Sequence, residues 1–142
     1  MARILIIEDK PNQRALYSEE LADEGYEVLC AADGPEALEL FQRQKPDLIV
    51  TDILLPGMTG IEIMERLLAT DPEIPVIIHS AYSSPSRDFM AGLARAYVVK
   101  SGDLEELKVH IRNVLASKSA SASGETSALT REGSGVRGQR SE

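Results

Sequence analysis

Short runs of apolar residues recur along the first 116 positions, separated by segments in which apolar residues return every three or four positions. The runs are ILII, YEVLCAA, DLIVTD, PVIIHS and AYVVK. A continuous apolar run of this length is typical of a strand that is covered on both faces. The runs therefore predict the strands of a buried parallel sheet.

The segments that follow the runs carry the start and stop signals of helices. They are PNQRALYSEELADEG, EALELFQRQ, GIEIMERLLA, the short SPSRDFMAGLA, and DLEELKVHIRNVLA. Pro11 suits a first helical turn, Gly25 suits a stop, and Asp33 offers a cap to the second helix. Asp103 with Glu106 forms a capping-box pattern before the fifth helix. The alternation predicts an α/β fold, a doubly wound five-stranded parallel sheet with helices on both faces.

The composition changes sharply at Ser117, where Ser, Gly and Ala with scattered charges replace the large apolar residues. Such a segment cannot bury enough surface to offset the entropy lost on ordering it. We therefore predict one folded domain over residues 1–117 and a disordered tail or linker over residues 118–142.

Charge and composition limit the classes of partner. The net charge is −8 and only 4% of residues are aromatic, without a basic stripe, so direct binding to nucleic acid is not expected. No apolar run approaches the roughly 20 residues that span a bilayer, and no signal-peptide pattern is present, so no membrane partner is expected. The single cysteine, Cys30, fits the reducing cytoplasm, where we expect the protein to lie.

Charged and polar residues stand at the ends of four predicted strands. Glu8 and Asp9 follow the first strand, Asp52 the third, and Lys100 the fifth, while Ser80 ends the fourth. In parallel α/β sheets function gathers at the carboxyl ends of the strands. These five residues are therefore predicted to form one site.

The donor types at that site point to a cation and a phosphoryl group. Converging carboxylates repel one another, and a divalent cation removes that cost. Two or three acids suit an ion that keeps several waters, which means Mg²⁺ or Mn²⁺. The ion, Lys100 and the Ser80 hydroxyl would together cradle a phosphoryl group, and the Asp52 carboxylate would accept it as an acyl phosphate.

Four motifs in order carry a family resemblance. They are the acid pair Glu8-Asp9, TDILLPGMTG with Asp52, HSAY with Ser80, and YVVK with Lys100. The chain from residue 2 to residue 116 resembles a response-regulator receiver domain of two-component signalling, of the stand-alone, single-domain type. The resemblance implies the flavodoxin-like (βα)5 receiver fold.

The resemblance also implies a phosphoacceptor and a metal site. Asp52 would receive the phosphoryl group from a sensor histidine kinase or a phosphorelay protein. Mg²⁺ would be bound by Asp9, Asp52 and the backbone carbonyl of Leu54, with Glu8 acting through a water. The domain would then be a signalling switch that catalyses only its own phosphotransfer and dephosphorylation.

The resemblance further implies a conformational switch, to which three residues on neighbouring strands contribute. Ser80 would turn toward the phosphoryl oxygens, Lys100 would pair with them, and Tyr97 would swing inward in response. The fourth helix, fifth strand and fifth helix would form the face that a downstream protein effector reads. The protein would be a monomer or a phosphorylation-dependent dimer, and the domain could equally be the receiver part of a longer protein.

Several positions depart from the family pattern or adjust it. Ser101 stands where the family usually has proline, which leaves open whether the Lys100–Ser101 peptide is cis or trans. Leu54 and Tyr82 occupy the positions that tune dephosphorylation, and we expect an apolar and a bulky group there to give a long-lived acyl phosphate. His79 is expected to be structural and to point away from Asp52.

Other functions compete with this interpretation. A haloacid-dehalogenase-like aspartyl-phosphate hydrolase needs a second carboxylate two residues after the nucleophile, where this chain has Leu54. A flavodoxin-like cofactor binder needs a first loop that attracts phosphate, which Glu8 and Asp9 repel unless a metal intervenes. A receiver-like module that binds its partner without phosphorylation remains open, because Ser101 departs from the pattern.

Overall fold

The computed structural model describes residues 1–53, 55, 57–81 and 94–127, with side chains described as far as residue 117. The strands are β1 (Arg3–Ile7), β2 (Glu27–Ala31), β3 (Leu48–Thr51), β4 (Val76–Ser80) and β5 (Ala96–Val99). They form one parallel sheet in the order β2-β1-β3-β4-β5. The predicted fold class is thereby confirmed, and the strand order reverses between β1 and β3.

Four helices are described, namely α1 (Pro11–Asp23), α2 (Gly34–Gln44), α3 (Gly60–Thr70) and α4 (Glu105–Ser127). The first three match the predicted helices, and α4 is the predicted fifth helix. The predicted fourth helix falls almost entirely on residues 82–93, which lie outside the described residues.

Helix starts are fixed mainly by side-chain caps. The Asp33 carboxylate accepts the Glu36 backbone N–H at 2.9 Å, as predicted for the second helix. Thr59 and Glu62 form a reciprocal capping box at α3, which the sequence interpretation missed. The Asp103 carboxylate accepts the Glu105 backbone N–H at 3.1 Å at the start of α4, and the capping box predicted for Asp103 with Glu106 stays a prediction.

The central strands are buried on both faces. Every residue of β3 and β4 is buried, as are the last four residues of β1, whereas the edge strands β2 and β5 are mostly half-buried. Burying one such aliphatic side chain contributes roughly 1.5–3 kcal/mol to the stability of the fold. Because the buried side chains are concentrated on the central strands, the core lies in the middle of the sheet. Rigid central strands hold the residues at their carboxyl ends in fixed positions.

The chain divides into two compact units, Met1–Ile111 and Arg112–Glu142, and the whole sheet belongs to the first. The backbone is helical as far as Ser127, beyond the domain boundary predicted at residue 117. The disordered tail predicted over residues 118–142 stays a prediction. Within the part of the chain that the structure describes, no helix is both long and apolar enough to cross a membrane.

Candidate functional site

The carboxyl ends of β1, β3 and β5 bring two acids and a lysine together. Lys100 Nζ lies 3.0 Å from Glu8 Oε1 and 2.8 Å from Asp52 Oδ2. The Lys100 backbone N–H donates to the Ser80 carbonyl oxygen at 2.7 Å, which places the buried Ser80 beside them. The juxtaposition predicted from the strand ends is present for these four residues.

A cavity of about 790 Å³ opens at this edge of the sheet. Asp9, Asp52, Ser80 and Lys100 line it, together with residues of α1 and of the loop that follows β5. Glu8 is only 1% exposed and is not among the described residues that line the cavity. The two acids that are adjacent in the sequence therefore have different environments, one open to the cavity and one enclosed.

Lys100 is the counter-ion of the buried carboxylate. Burial lowers the pKa of its ammonium, but hydrogen bonds to Asp52 and Glu8 outweigh burial and hold that pKa above its ordinary value. The other Glu8 oxygen, Oε2, accepts the Lys10 backbone N–H at 3.1 Å. A buried carboxylate without such partners would be costly, so the lysine is part of the folded site as well as of its chemistry.

The donor set at the cavity fits Mg²⁺. Mg²⁺ is usually held by one or two carboxylates and several waters, and Asp9 and Asp52 supply two carboxylates at one cavity. No group of three His, Cys, Asp or Glu side chains in the described ranges could hold a metal on protein ligands alone. Leu54, whose carbonyl is a predicted ligand, lies outside the described residues, so the ligand set stays a prediction.

The loop after β3 is held close to α3 by a glycine. A Cβ at Gly60 would lie 2.0 Å from the Asp52 carbonyl oxygen, and the Gly60 N–H donates to the Ile53 carbonyl at 2.7 Å. Gly57 has the positive φ expected of the tight loop (+79°), but Gly60 is needed for close approach. The backbone of Asp52 is therefore fixed by the helix that follows it.

The structure describes some of the other predicted positions and leaves others outside the described residues. No peptide bond between described residues is cis, so the Lys100–Ser101 peptide is trans, and the lysine still reaches Asp52. Tyr97 is half-buried and packs against the core between the sheet and the helices α2 and α3. Tyr82, like Leu54, lies outside the described residues, so their effect on dephosphorylation stays a prediction.

His79 lies at the cavity although the sequence interpretation directed it away from Asp52. It bonds to Tyr17 of α1, with 2.5 Å between His79 Nδ1 and Tyr17 Oη, and it lines the same cavity as Asp52 and Lys100. Burial and the Lys100 charge lower the pKa of His79 to about 4, against an opposing effect of Asp52. The contribution of Tyr17 was missed because no sequence signal distinguishes it from other apolar positions of α1.

Comparison with known proteins agrees with this fold. The family described as response regulator receiver domain matches residues 4–112. The chain belongs to the response regulator receiver domain family.

Individual relatives cover most of this chain. It is 34% identical over 119 residues to sporulation initiation phosphotransferase F of Bacillus subtilis, an alignment of 82% of this chain and 96% of that protein. It spans about half the length of other curated relatives, 48% and 49% of two regulators. About half of each of those two proteins lies outside the alignment with this chain.

Two solved structures of one protein from Thermotoga maritima are also similar. The response regulator TrrA in complex with Mg²⁺-BeF is 39% identical, with a TM-score of 0.75 over 80% of this chain and 98% of that one. TrrA in complex with the histidine kinase ThkA gives 39% identity and the same TM-score over 81% and 99% of the two chains.

Proposed function

We propose that this chain is a phosphorylatable switch in which Asp52 accepts a phosphoryl group from a sensor histidine kinase or phosphorelay protein. The observation that carries the proposal is the Lys100 ammonium held at 2.8 Å from Asp52, in a cavity that Asp9 and Ser80 also line. A carboxylate can act as the nucleophile, and a fixed positive charge, a hydroxyl and a second carboxylate that could bind a cation can position a phosphoryl group and neutralise its charge. The crystallised relatives with Mg²⁺-BeF and with a histidine kinase support it.

The reaction is an in-line displacement at phosphorus. An Asp52 oxygen forms the new P–O bond, the P–N bond of the phosphohistidine breaks, and its electron pair returns to the imidazole of the donor. Lys100 pairs with the phosphoryl oxygens and Ser80 offers its hydroxyl to them. Asp9 and Asp52, with the Leu54 carbonyl and a Glu8-bound water, would hold Mg²⁺, and the bound ion would supply charge neutralisation at this site.

Phosphorylation would redistribute the partners of Lys100. A phosphoryl group adds about 1.5–2 negative charges, so the ammonium that now bridges Glu8 and Asp52 gains a stronger partner. Ser80 and Tyr97 would carry the change to β5, α4 and the residues preceding β5, which form the face read by a downstream protein effector. The chain would act in the cytoplasm, as a monomer or as a dimer that forms on phosphorylation.

The test is the intact mass of the full chain after incubation with acetyl phosphate and Mg²⁺. We expect one phosphoryl adduct on the wild type and none on Asp52→Asn. Asp23→Asn, the same substitution at an exposed position of α1, is the matched control and should form the adduct like the wild type. An unmodified wild type, or an equal adduct on Asp52→Asn, would overturn the proposal.

A further inference from the structure

A buried tyrosine–histidine pair lies where α1 meets the cavity. Tyr17 is 2% exposed and His79 is 4% exposed, and their rings meet edge to face at a centroid distance of 5.6 Å. Tyr17 Oη and His79 Nδ1 are 2.5 Å apart. Neither residue is among the five at the strand ends from which the proposed function was built.

The hydrogen-bond network assigns the proton positions of the pair. A phenol as buried as Tyr17 must donate its O–H, and His79 Nδ1 is its partner among the described residues. An Nδ1 that accepts carries no proton, so the neutral imidazole bears its proton on Nε2. The lowered pKa of His79 agrees with a neutral ring.

The second ring nitrogen has no hydrogen-bond partner among the described residues, and His79 borders the cavity. Across the described ranges, the His79 side chain makes no hydrogen bond other than the one to Tyr17, and the residue lines the cavity that Asp52 and Lys100 share. A nine-tenths buried side chain, with one of its two ring nitrogens engaged by Tyr17, thus borders the space beside the phosphoacceptor. An N–H in that space is satisfied by water or by an acceptor oxygen of a group bound in the cavity.

We propose that His79 is a further hydrogen-bond donor to the phosphoryl group on Asp52, and that Tyr17 is the positioning residue that fixes its Nε2–H tautomer. This inference rests on the proposed function. Because the imidazole is neutral, it adds a directed donor without adding a positive charge to that of Lys100. Tyr17 would also connect α1 to the phosphorylated site.

The tautomer is tested first in the unphosphorylated protein by long-range ¹H–¹⁵N correlation spectra of the imidazoles. The chain has two histidines, so the partly exposed His110 on α4 serves as an internal control. We expect His79 to be in the Nε2–H form in the wild type and in Tyr26→Phe, and to populate both tautomers in Tyr17→Phe. An Nδ1–H form in the wild type would overturn the inference.

The contact with the phosphoryl group is tested with Mg²⁺ and beryllofluoride as its stand-in. The His79 Nε2–H resonance should shift in the wild type and stay in place in Asp52→Asn, while His110 stays in place in both. If acetyl phosphate modifies Asp52 but the His79 resonance does not move, this inference fails and the proposed function survives. If no adduct forms on the wild type, both fail.

Paired variants separate a donor from a packing residue. His79→Leu removes the donor, and we expect its apparent affinity for beryllofluoride to fall about tenfold, as for the loss of one hydrogen bond to a charged group. His79→Gln keeps an N–H near the position of Nε2 and should stay within about threefold of the wild type. Equal losses in the two variants, or no loss in either, would contradict the role. The wild-type spectra decide the matter if the leucine variant does not fold.

Discussion

Replacing Lys100 with methionine removes the ammonium between Glu8 and Asp52 and keeps an unbranched stem. The Glu8 side chain, 2% exposed, would then keep its negative charge with the Lys10 backbone N–H as its remaining hydrogen-bond partner among the described residues. Breaking a fully buried ion pair costs about 3–5 kcal/mol. Because the side chains of Lys100 and Asp52 are 20% and 15% exposed, we expect the free energy of unfolding to fall by about 2–3 kcal/mol.

The assay is urea denaturation in the presence of a chelator, so that no divalent ion replaces the missing charge. Lys100→Met is compared with Glu8→Gln and with the double variant. The double variant removes the stranded carboxylate, so its loss should be smaller than the sum of the single losses by about 1 kcal/mol or more. Lys45→Met, at an exposed lysine, is the control and should change the stability by less than about 0.5 kcal/mol.

Mg²⁺ adds a second measurement on the same variants. The ion should stabilise Lys100→Met more than the wild type, because in the wild type the ammonium already neutralises the carboxylates. Strictly additive losses, or a loss for Lys100→Met no larger than that for Lys45→Met, would refute the view of Lys100 as a structural counter-ion.

Three further outcomes follow from the same region. His79 has a folded pKa of about 4 below its ordinary 6.5, so its contribution is complete above pH 6.5 and is lost as the pH falls toward 4. Between pH 6.5 and pH 4, the free energy of unfolding should fall by up to about 3 kcal/mol more in the wild type than in His79→Leu. Equal dependence of that free energy on pH in the two proteins would contradict this. Gly60→Ala should cost about 1–3 kcal/mol by forcing backbone apart, whereas Gly102→Ala, with open space, should cost little; similar denaturation midpoints would disprove the close approach. Asp9→Ala should weaken Mg²⁺ binding more than Glu8→Gln, because Asp9 lines the cavity and Glu8 is enclosed. If calorimetric titration shows weaker Mg²⁺ binding in Glu8→Gln than in Asp9→Ala, the different roles of the two acids are refuted.

The sequence predicted the sheet because its strands are long apolar runs, and it predicted the edge where the site lies because charged residues follow those runs. Glu8, Asp52 and Lys100 meet for that reason. The way in which they meet was not predictable, because a side-chain contact across 92 positions depends on strand order and register. The sequence predicted that Lys100 would pair with a phosphoryl group, and in the structure it forms ion pairs with two carboxylates.

The sequence did not predict contacts that depend on tertiary packing, because several residues of one element carry the same local pattern. Tyr17 occupies one of several apolar positions of α1, and only the packing of α1 on β4 gives it His79 as a partner. Gly60 is needed because an added Cβ would lie 2.0 Å from the Asp52 carbonyl oxygen, which no local sequence signal shows. Such contacts require coordinates, because they connect residues through space and leave no periodicity in the chain.

The strand order β2-β1-β3-β4-β5 also has a consequence for synthesis on the ribosome. Chains emerge from the N-terminus, and β1, β2 and β3 are neighbours that can pair once residue 51 has emerged. Glu8 and Asp52 therefore leave the ribosome before the lysine that bridges them, which lies 48 positions after Asp52. Any sheet of β1, β2 and β3 that formed before β5 emerged would carry an uncompensated acidic edge, and docking of β5 would complete the sheet and neutralise the site together.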